Sequence, residues 1–246
     1  MAIEIHGKTV LTTIPELVDP AHAALLIIDV QNDCCAPGGA FAERGADLAL
    51  YQDAIPQLKR LVAAAREAGA LVIYVQATTL PDHRSQSPAQ LLFEARLKES
   101  YPRKGIEAFE FCLPGTWGHE FVGDLRPEDD DVVIQKHRSS AFVGTNLDLV
   151  LRSNGIKTVI ATGCTTEGCV DSTIRDAGFL DYYPIAVRDC IASDNRRLHE
   201  AALAILEAYR AVVTDSAEII EAWSAQSAND TARNASMART ARAEGA

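Results

Sequence analysis

A chain of 246 residues, 48% of them hydrophobic and 23% charged, is long enough to bury the core of one sizeable α/β domain. Its formal net charge of -11 repels nucleic-acid phosphates, so no nucleic-acid partner is expected. It has neither an apolar run of about 18 residues nor a basic-then-apolar leader, so no membrane association is expected and the cytoplasm is the expected location. The six cysteines are Cys34, Cys35, Cys112, Cys164, Cys169 and Cys190. They form no CxxC and no regular disulfide spacing, which fits reduced thiols.

Taken in chain order, AALLIIDV at 23–30 is a nearly continuous apolar run closed by an acid, the pattern of a buried parallel strand. After the loop APGGAF, Ile55, Leu58, Leu61, Val62 and Ala65 recur at helical spacing, and Gly69 closes that helix. ALVIYV at 70–75 is a second strand. The polar stretch 78–118 predicts loops around a site and one short helix at 90–98. DVVIQK at 131–136 is a third strand, and NLDLVLRSNG a helix with Gly155 as its left-handed cap. TVIATG at 158–163 is a fourth strand, with Cys169 opening the helix after it. PIAVRDC at 184–190 is a fifth. Leu198, Ala202, Ile205, Leu206 and Tyr209 make one face of a further helix, and AVVTD at 211–215 is the last strand.

Strands alternating with helices predict one doubly wound parallel six-stranded sheet, with helices on both faces in three layers (α/β/α). The domain is placed at 1–223. Residues 224–246 are polar and Ala-rich with no apolar stripe, and are expected to form a tail.

Ligand crevices of such sheets lie at the C-terminal strand ends. Three reactive side chains fall there: Asp29, Lys136 and Cys169. Taken singly, each has a plain structural reading as a turn acid, a solvated lysine and a small core residue. Together they suit acyl transfer. A helix N-terminus and an ammonium both favour thiolate, so Cys169 is expected to be nucleophilic near neutral pH. Asp29 takes the thiol proton and passes it to a departing amine. Lys136 holds Asp29 ionised. The turn GCTTEGC aims backbone N–H groups of Thr165 and Cys169 at a developing oxyanion.

ALLIIDVQND, VIQKHRSSAF and TGCTTEGCVDSTIRDA, in that order, resemble the isochorismatase-like cysteine hydrolases. The resemblance spans about 23–223. It implies a Rossmann-like fold, an Asp–Lys–Cys triad at Asp29, Lys136 and Cys169, and a non-proline cis peptide between Cys164 and Thr165. The presence of Cys169 argues against the ether-cleaving branch, which lacks the cysteine. Asp47 has no histidine two residues on, and the DWHP-like segment of the metal-dependent amidases is absent, so neither metal nor other cofactor is expected. APGGAF, GTWGHEFVGDL, NLDLVLRSNGI and GFLDYY are similar to the ureidoacrylate amidohydrolases, and TEGCV to the carbamoylsarcosine type. What the resemblance implies is therefore an amidohydrolase that acts on a small ureido, carbamoyl or amide compound and releases ammonia. Hydrolysis of an ether or imide on the same fold and a non-catalytic binding role are the alternatives. Relatives commonly form dimers or tetramers, so a homo-oligomer is expected.

The family's aromatic after QND is replaced by Cys34, which is expected to help wall the substrate pocket. Bridging Cys34 to its neighbour Cys35 would strain the backbone, so the pair is read as pocket or core residues. Gln76 and Arg138, just past strand ends, are candidates to bind a substrate carboxylate or ureido group. For Arg138 a structural ion pair is the competing reading. Trp117 is a candidate to close the pocket. His119, His137 and Asp189 are expected to be structural.

Overall fold

The computed structural model describes residues 2–92 and 111–228. The chain opens with an antiparallel hairpin of β1 (Ile3–Ile5) and β2 (Lys8–Val10). His6 and Gly7 both have positive φ, 50° and 74°, as the two-residue turn that matches strand twist requires. This hairpin was not anticipated. The signal for it is the alternation of IEI and KTV about His-Gly, muted because both strands are exposed and short.

The six apolar runs become the six strands of one parallel sheet: β3 (Ala23–Ile28), β4 (Leu71–Ala77), β5 (Val132–Lys136), β6 (Thr158–Cys164), β7 (Tyr183–Ala192) and β8 (Val212–Thr214). Their order is β5-β4-β3-β6-β7-β8, with every pairing parallel. Every residue of β3 and of β6 is buried. These are the two middle strands, covered on both faces, which is why β3 is continuously apolar and β6 departs from that only at the buried Thr158 and Thr162 rather than alternating.

The helices are α1 (Ile14–Leu17), α2 (Asn32–Cys35), α3 (Ala40–Glu43), α4 (Ala49–Ala68), α5 (Leu147–Ser153), α6 (Asp171–Phe179), α7 (Arg196–Tyr209) and α8 (216–228). On one face of the sheet, Leu25, Ile27, Val72 and Ile160 pack in one core with Leu58, Leu61 and Val62 of α4 and Trp223 of α8. On the other, Leu26, Ile28, Ile73 and Val159 pack with Leu151 of α5, Ile174 of α6 and Leu206 of α7. The three layers expected from the sequence are therefore present.

Several element edges differ from expectation. α4 begins at Ala49, ahead of the apolar repeat, because the Asp47 carboxylate accepts the Ala49 N–H at 2.9 Å; the helix then runs through Pro56. It ends at Gly69, φ 75°, as its sequence indicates. α8 passes through Trp223, whose Nε1 donates to the Val18 carbonyl at 2.6 Å. The boundary drawn at 223 thus falls inside a helix, and the tail from 229 onward lies outside the described residues. The short helix expected at 90–98 falls mostly outside them as well, with helical turns seen at 88–92. No helix among the described residues is long and apolar enough to cross a membrane.

β3 leads leftward through α4 to β4 and then β5, after which the chain returns past α5 to β6 on the far side of β3. The β3–β6 boundary is the point at which strand order reverses, where α/β sheets open a crevice.

Candidate active site

The chain stops being a strand abruptly at this crevice. Asp29 follows β3 at φ 55°, a left-handed conformation that aspartate tolerates better than most residues. Its N–H still donates to Val75 O at 2.9 Å, so the carboxylate projects from a backbone locked to β4. Across the boundary, Gly163 of β6 has φ 104°, and a Cβ there would stand 2.0 Å from Ile28 O. Only glycine allows the two strand ends to close together. β6 ends at Cys164, and the Cys164–Thr165 peptide is cis, as the resemblance implies.

Cys169 was expected to open a helix. It lies instead in a single wide turn, Thr166–Val170, that precedes α6. Such π-type turns are frequent at functional sites. The turn is tied down on two sides. Thr166 Oγ1 and His199 Nδ1 of α7 share a hydrogen bond of 2.7 Å, and Ser193 Oγ donates to Glu167 Oε1 at 2.9 Å. Thr173 Oγ1 donates to Cys169 O at 2.7 Å and accepts from Ala141 N at 3.0 Å, which joins the turn to the loop after β5.

Lys136, the last residue of β5, is 3% exposed. Its ammonium donates to Asp29 Oδ2 at 2.7 Å, to Cys169 Sγ at 3.1 Å and to Arg138 O at 3.1 Å. All three of its protons are thus used, and one cation bridges the acid and the thiol. The other Asp29 oxygen, Oδ1, is buried without a hydrogen-bond partner among the described residues. Buried carboxylate oxygens are seldom left so. It is an open acceptor beside the thiol.

Burial opposes the charge on Lys136, but Asp29 and Cys169 outweigh it, and its pKa lies above the ordinary lysine value. Burial first, and the negative charge of Asp29 next, push the Cys169 thiol up to about 12, against the pull of the Lys136 ammonium. The direction of this shift runs against the thiolate expected near neutral pH. Lys136 and Asp29 form a buried ion pair beside the thiol, and the ammonium offsets only part of what desolvation and the Asp29 charge impose on the sulfur.

The remaining candidates are placed as follows. Gln76 Nε2 donates to His119 O at 2.9 Å and lies 3.4 Å from His119 Nδ1, so it holds a loop in this conformation. Arg138 donates to the carbonyls of Ser85 and His137 at 2.8 and 2.6 Å; neither partner is an acid, so these contacts are not the ion pair that was the competing reading. Trp117 is 53% exposed on the loop that follows Cys112. Cys34 does not wall a pocket here. It is 4% exposed, with its Sγ 3.9 Å from Cys112 Sγ, because its helix turns it into the core. His137 Nδ1 bonds Thr78 O at 2.7 Å, and Asp189 accepts both the N–H and the hydroxyl of Ser216 at the start of α8.

The residues of the motif QND have structural roles that the sequence pattern does not reveal. Gln31 accepts the Ala77 N–H at 2.8 Å and donates to His119 O at 2.8 Å. Asn32 donates to Trp117 O at 2.8 Å, and Asp33 accepts the Cys112 N–H at 2.7 Å. These three residues fasten the 112–121 loop against the strand ends. A Cβ on Gly118 would lie 2.1 Å from the Asp33 carboxylate, so that loop needs its glycine.

The isochorismatase domain family matches residues 23–218 of this sequence. The chain belongs to that family. The isochorismatase-like hydrolases it resembles include the ureidoacrylate amidohydrolase RutB of Methylobacterium radiotolerans, 35% identical over 217 residues, covering 86% of this chain and 84% of RutB. Among solved structures of the family, a cysteine hydrolase from Pseudomonas syringae pv. phaseolicola superposes with a TM-score of 0.71 at 25% identity, over 85% of this chain and 95% of the other. An N-carbamoylsarcosine amidase from Thermoplasma acidophilum gives a TM-score of 0.59 at 28% identity, over 79% and 96%.

Proposed function

We propose that this isochorismatase-like hydrolase is a cysteine-dependent amidohydrolase that cleaves a C–N bond of a small ureido, carbamoyl or amide compound through a covalent Cys169 intermediate, releasing ammonia. The observation that carries the reading is the buried Lys136 ammonium, 2.7 Å from Asp29 and 3.1 Å from the Cys169 sulfur. The likeness to RutB and to the carbamoylsarcosine amidase supports the ureido and carbamoyl substrate class.

The chemistry rests on the Asp29–Lys136 ion pair beside the thiol. Asp29 Oδ1 takes the Cys169 proton as the sulfur attacks the substrate carbonyl carbon, so the thiolate forms only as the C–S bond forms. The Lys136 ammonium keeps its proton and offsets charge that moves from carboxylate to sulfur. The amides of Thr165 and Cys169 receive the oxyanion. On collapse the C–N bond breaks, and Asp29 returns its proton to the nitrogen, which leaves as ammonia. Asp29 then takes a proton from water as its oxygen attacks the thioester or thiocarbamate. The C–S bond breaks and Cys169 regains its proton. Gln76, Arg138 and Trp117 are the side chains assigned to substrate recognition, with the first two exchanging a loop contact for the ligand.

Assaying ammonia release across ureas, carbamoyl amino acids and carboxamides tests this function. Turnover confined to ureido or carbamoyl compounds supports it; turnover of enol ethers or cyclic imides without ammonia would favour the alternative chemistry. Activity should also survive exhaustive dialysis against a chelator, since the sequence lacks the histidine-bearing elements of the metal-dependent branch. Loss restored by added zinc, iron or manganese would contradict that.

A further inference from the structure

Four of the six cysteines meet behind the active site. Cys35 Sγ lies 3.5 Å from Cys164 Sγ, and Cys34 Sγ lies 3.9 Å from Cys112 Sγ. All four are buried and reduced. Sequence reasoning considered only the adjacent pair Cys34 and Cys35, yet each of them faces a cysteine from a distant segment. Among the described residues no group of His, Cys, Asp and Glu is arranged to hold a metal ion, so the cluster is not a metal site.

Two further facts single out Cys35 and Cys164. Both thiols point at one atom of the catalytic region, the Asp29 carbonyl oxygen, at 3.8 and 3.1 Å. Both also border a small apolar cavity lined by Val30, Tyr51, Ala54, Gly163 and Cys190.

We propose that Cys35 and Cys164 form an oxidation site that closes to a disulfide with hydrogen peroxide and thereby switches the hydrolase off. One sulfur takes an oxygen as the peroxide O–O bond breaks, giving a sulfenic acid and water. The second sulfur attacks it, the S–O bond breaks, and a second water leaves. Two thiols and one peroxide thus give one disulfide and two waters, with both electrons supplied by sulfur. Closure shortens the sulfur separation from 3.5 Å to a bond of about 2.0 Å. It also removes two thiol donors from the Asp29 carbonyl and pulls on Cys164, the residue joined to Thr165. A misplacement of about 1 Å at a reacting group costs about 10²-fold in rate, which is the loss expected on oxidation. Burial raises the Cys35 thiol, and contact with the neighbouring cysteines together with burial raises that of Cys164. Closure should therefore accelerate as pH rises.

The test is peptide mapping of wild-type and Cys169→Ser protein after hydrogen peroxide, with free thiols alkylated under denaturing conditions and no reductant. The expected product is a Cys35–Cys164 linked peptide in both proteins. Recovery of both residues as alkylated free thiols, or joined to other cysteines, overturns the proposal. This mapping needs no turnover, so it stands or falls apart from the amidohydrolase reading. The switch itself is read from dithiothreitol-reversible inactivation, which should be slower in Cys35→Ala than in wild type. Equal rates would overturn it.

Discussion

Replacing Cys169 by alanine should abolish ammonia release, by about 10⁴-fold or more, and leave the fold unchanged. The two halves of that result have separate causes. Loss of the sulfur removes the atom that forms the covalent bond, and nothing else at the crevice replaces it. Cys164 is 2% exposed and Cys190 1%, so neither can reach a substrate. Stability survives because Lys136 keeps its other two acceptors, Asp29 Oδ2 and Arg138 O. Thermal melting and circular dichroism should match the wild type while turnover disappears. Residual turnover within about tenfold of wild type would remove Cys169 from the mechanism.

Lys136→Met should have the second largest effect and a different signature. Rate should fall by about 10²-fold or more, in the range typical for electrostatic groups. Here stability should fall too. Asp29 is 3% exposed, and losing its ammonium leaves a buried carboxylate unpaired, at a cost of about 3–5 kcal/mol. Lys136 lowers the Cys169 thiol pKa, so the variant's thiol should be less acidic still, and iodoacetamide alkylation of Cys169 slower at every pH. In the wild type that alkylation rate should keep rising through pH 10, since burial and the Asp29 charge push the thiol up. The pH dependence of stability has a definite sign. Lys136 binds its proton more tightly folded than unfolded, so its contribution is complete below the ordinary value of 10.5 and is lost only as pH climbs beyond it. Asp29→Asn combined with Lys136→Met should recover stability without activity. An unchanged alkylation profile in Lys136→Met would make Lys136 a bystander.

Much of this was legible in the sequence, for identifiable reasons. β3 and β6 are buried on both faces, so their sequences are almost wholly apolar or small and cannot be mistaken for loops. Asp29 and Lys136 end such runs, and strand ends are where a doubly wound sheet exposes its chemistry. What stayed hidden depends on contacts between distant segments. That Cys34 faces Cys112 follows from the path of the 112–121 loop, which the QND side chains fasten to backbone groups of a distant segment, and that Cys35 faces Cys164 follows from the meeting of α2 with the end of β6. The direction in which the thiol is shifted was hidden for a related reason. Proximity to a lysine can be read from strand order, whereas the desolvation that outweighs it needs the packed site. The N-terminal hairpin escaped notice because its strands are exposed and carry no buried stripe.

The covalent step is tested most directly by acid-quenching the enzyme during turnover of a ureido or carbamoyl substrate and mapping the adduct by peptide mass. An acyl group on Cys169, and on no other residue, is the predicted result. Unmodified Cys169 throughout a time course in which ammonia accumulates, with an acyl group found on a different side chain, would contradict the account.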